Sequence, residues 1–478
     1  MLKRFLTLSL LTLASLAAAA ERPNFVFFLA DDVSAEDIGC YGNAALKTPN
    51  IDRLAAAGIR FTNAYLTISS CSPSRCSMIT GRYPHNTGAP ELHTSLPPGS
   101  VLYPKFLKDA GYFTVLSGKH HMGKVANAAF SKITKGGGPG SEEDWVQNLK
   151  TRPKGQPFFF WYASTDAHRA WTGASKNLRH YKPEEVTVPP YLVDGPKTRA
   201  DLCGYYHEVS RFDHFVGLVV AELKSQGVLE NTVIIVTADN GRPFPRAKTR
   251  LYDSGVKPPF VVHAPQTAAR GVTSSLVSSI DISATVLELA GLPVDQRIQG
   301  VSFAPILADS AAVVREVVFA EHNWHVYSNH ERMVRFGDWL YIRNNMPDQQ
   351  NLCLEALNPD SGKELVAAHR AGTLTPAQLN IFWNPCPEEE LYRVSTDPDQ
   401  LRSLASNPEN QPLLGRMRAA LSDWKEQTGD SIPSKPTPDR DARPGAPRKD
   451  RKSFKRGEMP GDATNATSIN HPGPIRLR

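Results

Sequence analysis

Past its first twenty residues the chain has no apolar run approaching the roughly 20 residues that a membrane-spanning helix needs, so the mature protein is expected to carry no transmembrane anchor. Cysteine is scarce. Cys40, Cys71, Cys76, Cys203, Cys353 and Cys386 are the six in 478 residues, which excludes a disulfide scaffold. With Cys71 set aside, at most two pairs can form, and Cys353 with Cys386 is the pairing considered. No Cys-x-x-Cys or His-x-x-x-His spacing is present to suggest zinc. A one-signed charge is also missing from the body. The formal net charge is +6, but residues 434–478 hold 11 Lys/Arg against 5 Asp/Glu, and Lys3 and Arg4 add two more positive charges. Residues 21–433 hold 41 Lys/Arg and 43 Asp/Glu, a near-neutral balance that gives no reason to expect nucleic acid as a partner.

What is present begins with a leader. Lys3 and Arg4, the apolar run from Phe5 to Leu16, and Ala18-Ala19-Ala20 before Glu21 make residues 1–20 a secretion signal, so export to the periplasm or beyond is expected. From Asn24 to Ala30 the chain is continuously apolar, the pattern of a central strand buried on both faces, and it stops at Asp31-Asp32. A second such run, Val233 to Ala238, stops at Asp239-Asn240. In open α/β sheets ligands bind outside the carboxyl ends of the strands. Any one of these four residues could simply cap the next segment. Adjacent carboxylates repel unless a cation lies between them, however, and one shared cation accounts for all four. Their hard oxygens suit calcium or magnesium.

Further strands are expected at 59–66, 112–116 and 157–164, and helices at 48–57, 104–110, 200–226 and 281–291. The strand at 112–116 runs into Gly118-Lys119-His120-His121-Met122-Gly123. That at 157–164 runs into Thr165-Asp166-Ala167-His168-Arg169. Taken singly these are surface cations or loop residues; at strand ends they can converge on one anion.

Cys71-Ser72-Pro73-Ser74-Arg75, continuing to Thr80-Gly81-Arg82, reads as a nucleophile on a turn that opens a helix. Pro73 suits the first helical position, and Gly81 releases the chain. A helix start favours an oxyanion, and Arg75 offers a planar fork of donors to it. A lone cysteine beside a capping serine is more often structural. The whole run, however, resembles the sulfatase signature, Cys-x-Pro-Ser-Arg followed by Thr-Gly-Arg, whose Cys is oxidised to formylglycine. Asp31-Asp32, Gly118 to Gly123 (with His120 in place of the usual Trp), Asp239-Asn240, and Lys248 before Leu251-Tyr252 are similar to the same family in the same order. The resemblance spans roughly residues 24–430. Asp253-Ser254-Gly255 departs from the family's Glu-Gly-Gly. Pro243-Phe244-Pro245 looks like the sulfamidase branch, which has Arg at the Lys248 position.

The resemblance implies an alkaline-phosphatase-like α/β fold: a large mixed, mainly parallel sheet flanked by helices, with a smaller C-terminal α+β domain carrying an antiparallel sheet. It implies Asp31, Asp32, Asp239, Asn240 and the modified Cys71 as ligands of Ca2+ or Mg2+. Catalytic roles fall to Cys71, Arg75, Lys119, His121, His168 and Lys248, and a formylglycine-generating maturation enzyme is an implied partner. The implied substrate is a sulfate ester, in particular of a sulfated polysaccharide or its fragments. Hydration of the aldehyde supplies two hydroxyls. One attacks sulfur while His168 or Lys248 protonates the departing alcohol. His121 then takes the proton of the other, sulfate leaves by elimination, and the aldehyde returns.

Domain boundaries are expected at 21–315 for the catalytic part and 316–430 for the smaller one, from short strands near 317–320, 331–335 and 339–343 and a closing helix at 411–427. His322, Trp324 and His325 lie in a loop that the resemblance sets over the pocket, as candidate sugar contacts; a core tryptophan between surface histidines is the plainer alternative. Residues 431–478, rich in Pro, Arg and Lys with hardly an aromatic, are expected to be a disordered tail. Three other functions are compatible: S–N cleavage of an N-sulfated sugar, hydrolysis of a phosphate or phosphonate ester, and inactive binding of sulfated glycans.

Overall fold

Alternation along the first strand decides the architecture. Every residue of β1 (Asn24–Ala30) is buried. Phe25, Phe27 and Leu29 enter one apolar cluster, whereas Val26, Phe28 and Ala30 enter another. Successive side chains point to opposite faces of a strand, so a strand apolar on both needs a covering layer on each side. The computed structural model, which describes residues 22–172, 180–440 and 455–477, shows that arrangement. The expected secretion signal, residues 1–20, lies outside the described residues.

In chain order the next strands are β2 (Ile59–Phe61), β3 (Ala64–Tyr65), β4 (Phe113–Gly118), β5 (Lys132–Thr134), β6 (Phe158–Ala163), β7 (Thr232–Ala238), β8 (Val261–His263), β9 (Gly271–Thr273) and β10 (Val277–Ser278). Seven of them join β1 in one eight-stranded sheet in the order β5-β4-β6-β1-β7-β8-β2-β9. β5, β4, β6, β1 and β7 run parallel, and β8 is antiparallel to both its neighbours. The expected strand at 59–66 is broken at Thr62-Asn63, and β3 leaves the sheet to pair with β10.

Four helices matter for the site and its cover: α1 (Pro49–Ala57), α2 (Cys71–Thr80), α3 (Pro196–Ser225) and α4 (Asp281–Leu289). Along α3, Leu202, Tyr205, Val209, Phe212, Val216, Val219 and Leu223 are buried at three- and four-residue steps, one apolar stripe against the sheet.

A second sheet, antiparallel throughout, has the order β11 (Val317–His322), β12 (Glu331–Phe336), β13 (Trp339–Asn344) and β14 (Glu389–Arg393). The helix α5 (Gln411–Thr428) covers it, with Leu414, Met417 and Trp424 packed on Val317, Phe319, Val334 and Tyr341. Among the described residues no disulfide forms. Cys353 and Cys386 are both free, and the Cys386 thiol points at the carbonyls of Gln349 and Trp383. No described helix is long and apolar enough to cross a membrane.

The C-terminal tail departs from expectation. Residues 431–440 and 455–477 return along the body instead of lying free. Arg82 donates to the carbonyls of Thr467 and Ile469 and to Asn470 Oδ1. Asn86 donates to the Ala466 carbonyl and Gln299 to that of His471. Apolar content alone gave no warning of this. The segment is held by buried donors of the body that need acceptors, because an unmet buried polar group is costly. Deleting residues 455–478 should lower stability by several kcal/mol, at roughly 1–3 kcal/mol per buried donor left unmet. An unchanged denaturant midpoint would show that the segment is not part of the folded unit.

Candidate active site

Parallel pairing brings four strand ends together. β4, β6, β1 and β7 are neighbours, with Gly118 opposite Ala163, Leu29 opposite Ala163, and Ala30 opposite Ala238. Lys119, the loop carrying His168, Asp31-Asp32 and Asp239-Asn240 therefore leave the sheet side by side. The Asp31 N–H donates to the Asp166 carbonyl at 2.7 Å, and the Asp239 N–H to that of Ala30 at 3.1 Å. Asp32 takes a φ of +60°, uncommon for a residue with a Cβ, and its N–H donates to Asp239 Oδ1 at 3.2 Å.

Cys71 is the first residue of α2, and all ten residues of that helix are buried. Pro73 is thus the third helical residue instead of the first, still within the turn whose N–H groups have no helical acceptor. Gly81 ends the helix with φ +66°, and a Cβ there would lie 2.1 Å from Ser283 Oγ. Arg75 follows Cys71 by four residues and shares its face. Its Nε donates to Asp239 Oδ2 at 2.8 Å, its Nη1 to the Lys119 carbonyl at 2.8 Å, and its Nη2 lies 4.0 Å from Asp31 Oδ1. Arg75 therefore braces the carboxylates.

The other two cations oppose the remaining carboxylates. Lys119 Nζ pairs with Asp31 Oδ2. Lys248 Nζ donates to Asp32 Oδ2 at 2.9 Å and lies 3.8 Å from Glu355 Oε2. Burial opposes ionisation of Asp32, yet Lys248 and then His168 outweigh it and hold the carboxyl below its usual range. Burial raises Asp239 despite Arg75. Burial also pushes the Cys71 thiol up to about 12, against the pull of Lys119 and Lys248. An unmodified Cys71 is thus a neutral thiol and a poor nucleophile at neutral pH. Burial first, then Lys119 and Arg75, push His121 down to about 2, so its imidazole is neutral.

A cation fits this set. Ligand atoms of Asp31, Asp32 and Cys71 lie within 4.8 Å of one another. Asp31 Oδ1 and Asn240 Oδ1 are buried with no hydrogen-bond partner, which is the state a coordinating ion would relieve. Asn240 Nδ2 donates to Asp32 Oδ1 at 2.6 Å, tying the fourth residue to the group.

His168 stands between two cavities. One, of about 700 Å3, is lined by Asp32, Lys248, Trp171 and Glu355 as well as His168. The other, of about 430 Å3, is lined by Asp31, Lys119 and His121 on its far side. Asp166 and Arg169, the flanking candidates, are engaged elsewhere: Arg211 holds Asp166 through two contacts of 2.6 Å, and Asp201 holds Arg169 in a bidentate pair. His120 Nε2 donates to Asn127 Oδ1 at 2.8 Å, and the residue lines neither cavity.

The three proposed sugar contacts separate. His322 is the last residue of β11, and its ring is held between Glu331 Oε2 at 2.7 Å and the Tyr327 hydroxyl at 3.1 Å. Trp324 is buried with Leu92 and Tyr327, and its Nε1 donates to the Pro438 carbonyl. Both are packing residues, because each has its polar atoms spent inside the fold. His325 is buried too, but it reaches the site from behind. Nδ1 lies 2.7 Å from Ser70 Oγ, beside Cys71, and Nε2 lies 3.2 Å from Glu355 Oε2. Glu355 itself was missed. Burial resists its charge, but His325 and Lys248 hold it well below the usual carboxylate range. A single glutamate on a one-turn helix, Leu354–Leu357, carries no sequence signal of such a place.

Fold and site together define an esterase of tetrahedral anions built on an alkaline-phosphatase-like sheet. A sulfatase family model matches residues 23–292, and the chain belongs to the sulfatase family. It is accordingly a sulfuric ester hydrolase. It is similar to the human N-sulphoglucosamine sulphohydrolase, 29% identical over 88% of this chain and 93% of that protein. An ulvan-active sulfatase of Formosa agariphila is 30% identical over 87% of this chain and 82% of its own length. The fold also matches a solved structure in complex with its substrate D-glucosamine-2-N, 6-O-disulfate, with a TM-score of 0.65 at 18% identity over 85% of this chain and 98% of that one.

Adding Ca2+ to chelator-treated protein should raise the melting temperature, by the equivalent of about 2.7 kcal/mol at a hundredfold excess over Kd. Asp31→Asn should remove most of that shift. An equal shift in the variant would place the ion elsewhere.

Proposed function

We propose that this sulfatase removes sulfate from a sulfated saccharide, using a formylglycine made from Cys71 by a maturation enzyme and a divalent cation, Ca2+ or Mg2+, after export directed by residues 1–20. The observation that carries the reading is the placement of Cys71 at a buried helix start, within ligand distance of Asp31 and Asp32 and in the field of Lys119 and Lys248. A cation bound by Asp31, Asp32, Asp239 and Asn240 would lower the pKa of an oxygen at that position.

This chain's own residues account for the rest. Arg75 opposes the effect of burial on Asp239 and holds its carboxyl in place. Lys119 and Lys248 would hold the oxygens of a bound sulfate, where donors set in advance stabilise charge as it develops. His168, shared by both cavities, reaches the leaving oxygen as an acid. The neutral His121 imidazole accepts the proton that lets the product leave, and an anion between the two lysines offsets the cations that depress it. The aldehyde, once hydrated, would supply a second hydroxyl that a serine lacks, which is the chemistry that release by elimination needs.

S–N cleavage is the second reading. Pro243 lines the larger cavity, and Phe244 lies under the Arg169 guanidinium at 4.6 Å, so the Pro-Phe-Pro stretch that resembles the sulfamidase branch forms part of the pocket wall. Assaying glucosamine sulfated on N or on O separates the two, since turnover of only the N-sulfate would replace the ester reading.

Cys71→Ala should abolish turnover without unfolding the chain, and the native Cys71 peptide should show the mass of the aldehyde. An unmodified thiol in active native protein would sink the mechanism. Lys248→Ala should lower kcat/KM by about 10²–10³, the usual cost of removing one preset donor.

A further inference from the structure

The larger cavity holds more than the reacting group. Its volume of about 700 Å3 lies within the range of about 300–1,000 Å3 common for small-molecule sites. Lys248 and His168 line it beside Trp171, Pro243 and Leu354, and Arg440 of the C-terminal segment is part of the same wall. The carboxylates of this lining differ in what they have left to offer. Asp32 spends one oxygen on Asn240 and the other on Lys248. Asp201 spends both on Arg169 and also accepts from Trp171 Nε1 and the Ser361 hydroxyl. Asp360 is exposed and pairs with Lys363 at 3.4 Å.

Glu355 is unlike them. Its contacts with His325 Nε2 at 3.2 Å and Lys248 Nζ at 3.8 Å both fall on Oε2, and among the described residues none bonds Oε1. Its side chain is 37% exposed, so an accepting oxygen is left over in the cavity wall. The carboxylate is also held in position. On its one-turn helix, Ala356 packs with Trp324, Val326 and Tyr327, while Leu357 packs with Leu365 and Ile381. Burial resists its charge, yet His325 and Lys248 keep the carboxyl ionised at neutral pH.

This placement discriminates between substrates. Lys248 is a donor to the sulfate, and a carboxylate 3.8 Å from it repels that anion. A substrate that carries a hydrogen-bond donor facing Glu355 offsets the repulsion, whereas one without a donor there bears it in full. With Lys248 and Glu355 so close, the donor stands on the ring carbon next to the sulfated one. We propose that Glu355 is a specificity residue, accepting a hydrogen bond from a hydroxyl or ammonium group on the carbon adjacent to the sulfate of a bound saccharide. The inference rests on the saccharide-sulfatase reading and narrows it to substrates with such a donor.

The test compares kcat/KM on three saccharide sulfates that differ at the carbon beside the sulfate: one with a hydroxyl, one with an amine, and one with hydrogen alone. In the wild-type protein the better donor substrate should exceed the deoxy one by roughly tenfold to a hundredfold, the cost of a lost hydrogen bond to a charged acceptor. The donor that gives the larger ratio names the group. Glu355→Ala should bring that ratio close to one. Its kcat/KM falls on every substrate because Lys248 loses a partner, but this common factor cancels in the ratio. Glu355→Gln keeps an accepting oxygen without the charge, so it should retain part of a preference for hydroxyl and lose one for ammonium. A wild-type ratio near one, or a ratio unchanged in both variants, would overturn the inference and leave the sulfatase reading intact. Failure of the wild-type protein to turn over any saccharide sulfate, with an aryl sulfate still cleaved, would overturn the saccharide reading and this inference with it.

Discussion

A buried balance of three carboxylates and three cations governs this protein. Asp31, Asp32 and Asp239 sit at the ends of two adjacent strands, fully out of water, opposite Lys119, Lys248 and Arg75. Buried charge of either sign alone is prohibitive, and removing one partner of a buried pair is far worse than exchanging both. Each residue thus fixes the others: Arg75 belongs to the helix of Cys71, Lys119 to the turn just after β4, and Lys248 to the loop after β7. The ion pairs hold the nucleophile helix against the sheet, and they also hold the carboxylates ready for a cation.

This arrangement is a consequence of parallel pairing. A parallel strand must return by a crossover, so each strand end faces the same edge of the sheet and each loop begins there. Four strands side by side deliver an acidic pair, a lysine, a histidine loop and an aspartate–asparagine pair to one patch. The smaller sheet then contributes what the large one cannot. His325 and Glu355 approach from its side, link Ser70 to Lys248, and close the site where the strand ends leave it open.

The C-terminal segment shows how composition can mislead. Few apolar residues and many prolines argue for a chain without a core of its own, and that argument stands for an isolated segment. Here the body presents buried donors on Arg82, Asn86 and Gln299, and backbone carbonyls of the segment satisfy them. The same segment brings Arg440 to the pocket. A stretch that cannot fold alone is ordered by another part of the molecule's need for acceptors.

The sequence by itself determined the local facts: apolar runs at 24–30 and 233–238 closing on carboxylates, a cysteine opening a helix, and a thirty-residue amphipathic helix slightly shorter in the reading than in the structure. Those depend on neighbours a few residues apart, where periodicity and turn chemistry act. Tertiary structure alone decided that His322 and Trp324 pack inward, that Glu389–Arg393 is a strand despite two glutamates, that Cys353 and Cys386 stay apart, and that Glu355 and Arg440 reach the pocket. The physical reason is one of range. A side chain's partner across the fold depends on the pairing and packing of segments far apart in the chain, and no single stretch carries that information.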